Sequence, residues 1–201
     1  MTSRGPFDLE DPVRRIVNSA LTEEHYAELF ASFCAELVTA GVPLLRAQLA
    51  MHTLHPLVSA VDLTWYRDEG LEMKARTHSP EPARAWARSP LYWLLTNQEL
   101  ELRKDLLDPE VAKEFEIFRE FSDRGGTDYL ALLTPFGDPK TVFERGDGIL
   151  TSWLCDAPAG FGERDIEAIK YLQPYVGLIA KLARHDRPWL PRAKPGSALW
   201  F

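Results

Sequence analysis

Residues 127–156, TDYLALLTPFGDPKTVFERGDGILTSWLCD, decide the fold of this chain. TDYLALLTP (127–135) and GILTSWLCD (148–156) are apolar runs of strand length, rich in β-formers and bounded by Gly, Pro and Asp. They read as two central strands. The intervening polar segment, 137–147, contains Thr141-Val142-Phe143, which reads as the start of a hairpin arm. After the turn Ala157-Pro158-Ala159-Gly160-Phe161, residues 163–184 predict a long helix. Its expected buried stripe is Ile166, Ile169, Leu172, Val176, Ile179 and Leu182, with Pro174 as a candidate kink.

Upstream, Gly125-Gly126 stops a helix expected over 109–124, with Val111, Phe115, Phe118 and Phe121 on its apolar face. Residues 99–103 read as an edge strand, 89–95 as a short helix opening on proline, and the proline-rich 78–90 as a crossing loop. LRAQLAMHT (45–53) and VSAVDLTWYR (58–67), joined by His55-Pro56, form a hairpin. A third strand, 71–77, follows Asp68-Glu69-Gly70. Thr22 caps the first clear helix, Glu23 and Glu24 suit its positive end, and Tyr26, Leu29, Phe30, Phe33 and Leu37 recur at helical spacing until Gly41 and Pro43. The first 20 residues read as a tail with a short helix over 12–20, and 186–201 as a linker or tail.

Strands therefore cluster instead of alternating with helices. That order predicts an α+β domain over residues 21–185, with a central antiparallel sheet of five to six strands and terminal helices packed on one side.

Composition narrows the function. With 45% apolar residues the chain has material for a core, and a formal charge of −7 without a Lys/Arg run argues against nucleic acid. Cys34 and Cys155 sit in apolar sequence and form neither a CxxC pair nor a disulfide framework. The N-terminus shows no apolar leader, and no run of 18 apolar residues occurs. A reducing, cytoplasmic setting without membrane insertion is the expectation.

Several strings carry a resemblance: FCAEL (33–37) with GVPL (41–44); Arg46 with TLHP (53–56); SPL (89–91); GTDYLAL (126–132); and Ser152-Trp153 with PAGF (158–161). In this order they resemble the GAF-like N-terminal sensory region that precedes the catalytic domain in a group of bacterial class III adenylate cyclases. The likeness spans roughly residues 25–185. It implies a dimer built through terminal helices, a small-molecule ligand and control of a cyclase catalytic domain. No segment resembles the Asp-Ile-x-Gly-Phe metal-binding stretch of the cyclase half, so this chain is expected to be non-catalytic.

The remaining chemistry is thin. His52 and His55 are three apart but lack a third ligand nearby, and His78 is distant in sequence, so no metal site is expected. Ser152 lacks a nucleophile elbow, and Asp123-Arg124-Gly125-Gly126-Thr127 is no P-loop. The acidic run Glu99, Glu101, Asp105 and Asp108 reads as solvated surface. The aromatic set Trp65, Trp86, Tyr92, Trp93, Tyr129 and Trp153 fits either a concave ligand pocket or plain core packing. For a pocket, Arg46, His52, Trp65, Arg67, Trp93, Tyr129 and Trp153 are the expected ligand residues, with Asp128 as a further polar group. No cofactor is specified, and a ligand-free interaction module is the rival expectation.

Overall fold

The computed structural model describes residues 13–15, 17–18, 26–53, 59–76 and 84–184. The expectations at Thr22, His55-Pro56, His78 and 186–201 lie outside these residues. The elements are α1 (Tyr26–Thr39), β1 (Leu44–His52), β2 (Ala60–Tyr66), β3 (Gly70–Arg76), α2 (Arg84–Ala87), α3 (Pro90–Asn97) and β4 (Glu101–Asp105). A 3-10 turn (Val111–Lys113), α4 (Glu116–Asp123), β5 (Asp128–Pro135), α5 (Pro139–Arg145), β6 (Gly148–Cys155) and α6 (Glu163–Ala183) follow.

The six strands form one sheet in the order β3-β2-β1-β6-β5-β4, antiparallel throughout. Each face carries its own core. On one, α1 and α6 cover a cluster that includes Phe33, Leu37, Leu63, Trp65, Trp153, Ile169 and Leu172. On the other, α3, α4 and α5 cover Leu94, Phe118, Phe121, Tyr129, Leu150 and Leu154. Because side chains alternate across a strand, the period-two pattern feeds both cores at once. β6, whose residues are all buried, needs apolar or small residues along its whole length.

A bulge in β1 sets which residues face which core. Leu44 pairs with Cys155 and Arg46 with Leu154, so Leu45 is the extra residue. The shift puts Ala47, Leu49 and Met51 in the core under α1 and α6, while Ala50 joins the opposite core. Ala47 lies opposite both Trp65 and Trp153, and its small side chain leaves room for two indoles on one row.

Four expectations are corrected. Thr141-Val142-Phe143 lies in helix α5, not a strand: Asp138 accepts the Lys140 N–H, Pro139 opens the first turn, and Gly146 closes the last with φ 67°. This combination of Asp-Pro entry and Gly exit is a helix signal. The single helix expected over 109–124 is divided at Phe115, whose extended backbone (φ −133°, ψ 137°) separates the 3-10 turn from α4. The crossing segment contains α2. Leu182 is 53% exposed and lies off the buried face of α6. In its place Gln173 is buried, held by Thr151 and Thr134.

α6 runs unbroken through Pro174. Proline removes the N–H that would reach the carbonyl of Lys170, but both residues are exposed, so water can serve that carbonyl.

Candidate functional site

The face under α3–α5 carries a polar strip across β6, β1, β2 and β3. Arg46, 6% exposed, donates from Nε to the Tyr66 hydroxyl (3.2 Å), from Nη1 to Ser152 Oγ (3.4 Å) and from Nη2 to Gln48 Oε1 (2.9 Å). Its guanidinium also lies over the Phe121 ring at 4.9 Å and the Tyr66 ring at 5.6 Å. Gln48 hydrogen-bonds onward to Asp62. With its carbonyl taken by Arg46, the Gln48 amide is oriented with its NH2 toward the carboxylate. Asp62, also 6% exposed, accepts from Arg76 Nε at 2.6 Å, and Arg76 lies over the Trp86 ring at 5.5 Å. Trp86 in turn meets Tyr92 edge-on.

Burial, outweighing Arg76 and Gln48, raises the Asp62 carboxyl above its ordinary value of 3.8. The sign follows. Below 3.8 the carboxyl is protonated in both folded and unfolded chains and carries no penalty. As pH rises through the raised folded value, only the folded state resists ionisation, and stability falls. Asp62→Asn removes that loss, so the melting temperature of the variant minus that of wild type should grow more positive from acid to neutral pH. A difference that shrinks over that range would refute the assignment.

The expected ligand residues divide between the two faces. Arg46 and Tyr129 lie on the polar face; burial pushes the Tyr129 hydroxyl well above its ordinary value, and Ser152 bonds to it. Trp65 and Trp153 lie in the core under α1 and α6, across the sheet from Arg46. Trp93 stands 36% exposed on α3. His52 is exposed, with Nδ1 3.1 Å from the Ser59 carbonyl, and packs so closely on Gly146 that a Cβ there would come 2.7 Å from its Cδ2. Arg67 staples a sheet corner, donating to the Leu44 carbonyl and to Asp156. Asp128, 4% exposed, accepts from Arg103 and from the Phe161 N–H.

Sequence reading passed over Gln48, Asp62, Tyr66 and Arg76. The signal was there: Arg46 and Gln48 alternate with Ala47 and Leu49, and Asp62, Thr64 and Tyr66 alternate with Leu63 and Trp65. Both cysteines are free and buried, and burial raises both thiols. Among the described residues no group of three or more His, Cys, Asp or Glu gathers as metal ligands would, and no helix is long and apolar enough to cross a membrane. A cavity of about 20 Å³ lies on the other side of the sheet, between Tyr26, Leu29 and Phe33 of α1, Val176 and Ile179 of α6, and Leu63. That is little more than the space one water molecule needs.

No family model and no curated protein matches the chain. Solved structures do. The phycocyanobilin-bound GAF domain of a cyanobacterial phytochrome aligns over 91% of this chain and 100% of that one, with a TM-score of 0.55 and 13% identity. A phycoerythrobilin-bound GAF domain from a cyanobacterial phytochrome aligns over 90% and 96%, with a TM-score of 0.52 and 13% identity. The fold is GAF-like. In this GAF-like arrangement the terminal helices share one face of the sheet, and the polar strip occupies the other. At such identity the likeness concerns architecture, while the residues of the strip are this chain's own.

Proposed function

We propose that this chain is a non-catalytic regulatory domain, working as a homodimer, that passes its state to an attached or partner class III nucleotide cyclase and thereby governs cAMP signalling. A small ligand on the polar face would bias that state. The observation that carries the reading is a stripe on α6. Tyr171, Tyr175, Leu178 and Leu182 follow one another at steps of four, three and four, the spacing of a coiled-coil seam. Tyr171, Leu178 and Leu182 are 51%, 54% and 53% exposed, on the side of the helix away from its own core. A second copy of the same helix is the occupant that such a self-complementary stripe fits. Ligand binding acts through unequal affinity for two arrangements of that pair. The sequence strings that resemble cyclase sensory regions support a cyclase as the partner. The bilin carried by the phytochrome relatives supports a ligand on the same fold without naming one for this chain.

Light scattering at tens of micromolar should give a dimer, and Leu178→Glu with Leu182→Glu a folded monomer with unchanged circular dichroism. A monomeric wild type would remove the dimer. Joined after residue 184 to a class III catalytic domain, wild type and the double variant should differ in ATP turnover; equal rates would remove the regulatory coupling. Turnover of ATP by this chain alone would overturn the non-catalytic reading.

The rival reading, a ligand-free interaction module, draws on the internal pairing of Gln48, Asp62 and Arg76 and on the small size of the apolar cavity. Thermal-shift screening against cyclic nucleotides, haem, flavins and small metabolites separates the two, since a ligand raises the midpoint by mass action.

A further inference from the structure

Arg67, Arg76, Arg103, Arg124 and Arg184 meet Asp156, Asp62, Asp128, Glu69 and Asp147, respectively. Arg46 differs. At 6% exposed it is deeply buried, yet every group it touches among the described residues is neutral: Tyr66, Ser152, Gln48 and the Phe121 ring. A guanidinium has five N–H donors, and three are engaged here, one of them at 3.4 Å. Burying a cation is costly unless an anion or strong acceptors compensate it. Ring faces attract the cation but add no negative charge. The carboxylate of the strip, Asp62, is one amide away across Gln48 and already holds Arg76.

We infer that Arg46 is the anchor for a small monocarboxylate whose apolar body packs against Phe121, Tyr66 and Leu154, and that this acid is the class of ligand the domain takes. The inference rests on the polar face being a ligand site, as proposed above. The planar fork of arginine matches a carboxylate with two parallel bonds. A single uncompensated positive charge, set among Ser and Tyr hydroxyls and aromatic rings, suits one negative charge. Phosphate, with more charge and more acceptor oxygens, calls for several free cationic or backbone donors, whereas the other arginines nearby, Arg76 in the strip and Arg124 over the Tyr66 ring, are already held by Asp62 and Glu69. Gln48 would couple occupancy to Asp62 and Arg76, because a ligand that draws on the Nη2 donor loosens the Gln48 carbonyl that now accepts from it.

The test uses the full chain, with benzoate as the probe, its neutral isostere benzamide, and inorganic phosphate, all at matched ionic strength. Benzoate should raise the melting temperature saturably, by about 3–6 °C at a tenfold excess over its Kd. Benzamide and phosphate should not. Arg46→Gln should lose the benzoate response. Should that variant fail to fold, Gln48→Glu combined with Asp62→Asn hands Arg46 a carboxylate from within the chain and keeps the amide relay in reverse; it should fold and ignore benzoate. A benzoate shift that persists in either folded variant overturns the inference. Equal shifts with benzoate and benzamide overturn the preference for an anion and leave a pocket standing. No shift with any probe overturns the anion site and counts against the pocket, while the dimer is judged separately by light scattering.

Discussion

Trp153→Ala is expected to lower stability by about 3–5 kcal/mol, the range for removing a large buried aromatic side chain. A domain of this kind has about 5–15 kcal/mol in all, so the variant should sit near the edge of folding. The residue is completely buried on β6, with Phe33 and Phe30 rings at 5.9 and 6.4 Å from above. Its indole N–H donates to Thr151 Oγ1 at 3.2 Å, Thr151 donates to Gln173 Oε1, and the Gln173 amide donates to Thr134. This chain of bonds ties the sheet to α6. Truncation therefore leaves a cavity between sheet and α1 and also takes the donor from a buried hydroxyl. Trp153→Phe separates the two effects: it refills most of the volume without the N–H and should cost about 1–3 kcal/mol. Urea unfolding followed by circular dichroism measures both. A loss under about 1 kcal/mol for the alanine variant would show that this row does not hold the helix face together.

Asp128→Ala is expected to cost about 2–4 kcal/mol, because it strips a buried acceptor from a donor that has no other partner. Asp128 Oδ2 receives the Phe161 N–H at 2.9 Å and Arg103 Nη2 at 2.7 Å. The Arg103 side chain is 42% exposed and recovers hydration, which keeps the figure below that of a fully buried pair. The Phe161 amide is buried and recovers nothing. The turn is built around this carboxylate: Gly160 has φ +71°, and a Cβ there would come 2.7 Å from Asp128 Oδ2. Gly160→Ala should accordingly lose less stability in the Asp128→Ala background than alone, although the positive φ keeps some strain. Additive losses in a double-mutant cycle would disprove the contact. Since this turn leads into α6, the same cycle reports how firmly the proposed dimer helix is anchored to the sheet.

Local periodicity carried most of the fold. The stripe of Leu29, Phe30, Phe33 and Leu37 marked α1, and Ile169, Leu172 and Val176 marked the inner face of α6, because a helix meets its core every three or four residues. Glycines, prolines and polar turns marked the strand ends. Where two signals competed, the reading failed. Thr141-Val142-Phe143 has strand-forming side chains, but Asp138, Pro139 and Gly146 close a helix around them. Phe115 keeps helical spacing with Phe118 and Phe121, yet its extended backbone breaks the run.

The site was less legible than the fold for a related reason. Aromatic residues announce burial without saying on which side of a sheet, and one bulge at Leu45 in β1 sets the facing of every later residue in that strand. Trp65 and Trp153 fell under the helices while Arg46 and Tyr129 fell opposite, although all four look equally suited to a pocket in the sequence. Gln48, Asp62 and Arg76 are ordinary polar residues until register brings three strands together. The sequence by itself determined that strands cluster between two amphipathic helices, because period and turn chemistry are properties of neighbouring residues. Only the tertiary structure decided that a buried arginine would meet no acid among the described residues and that Leu178 and Leu182 of α6 would stand exposed, because both depend on what residues distant in the chain place beside them.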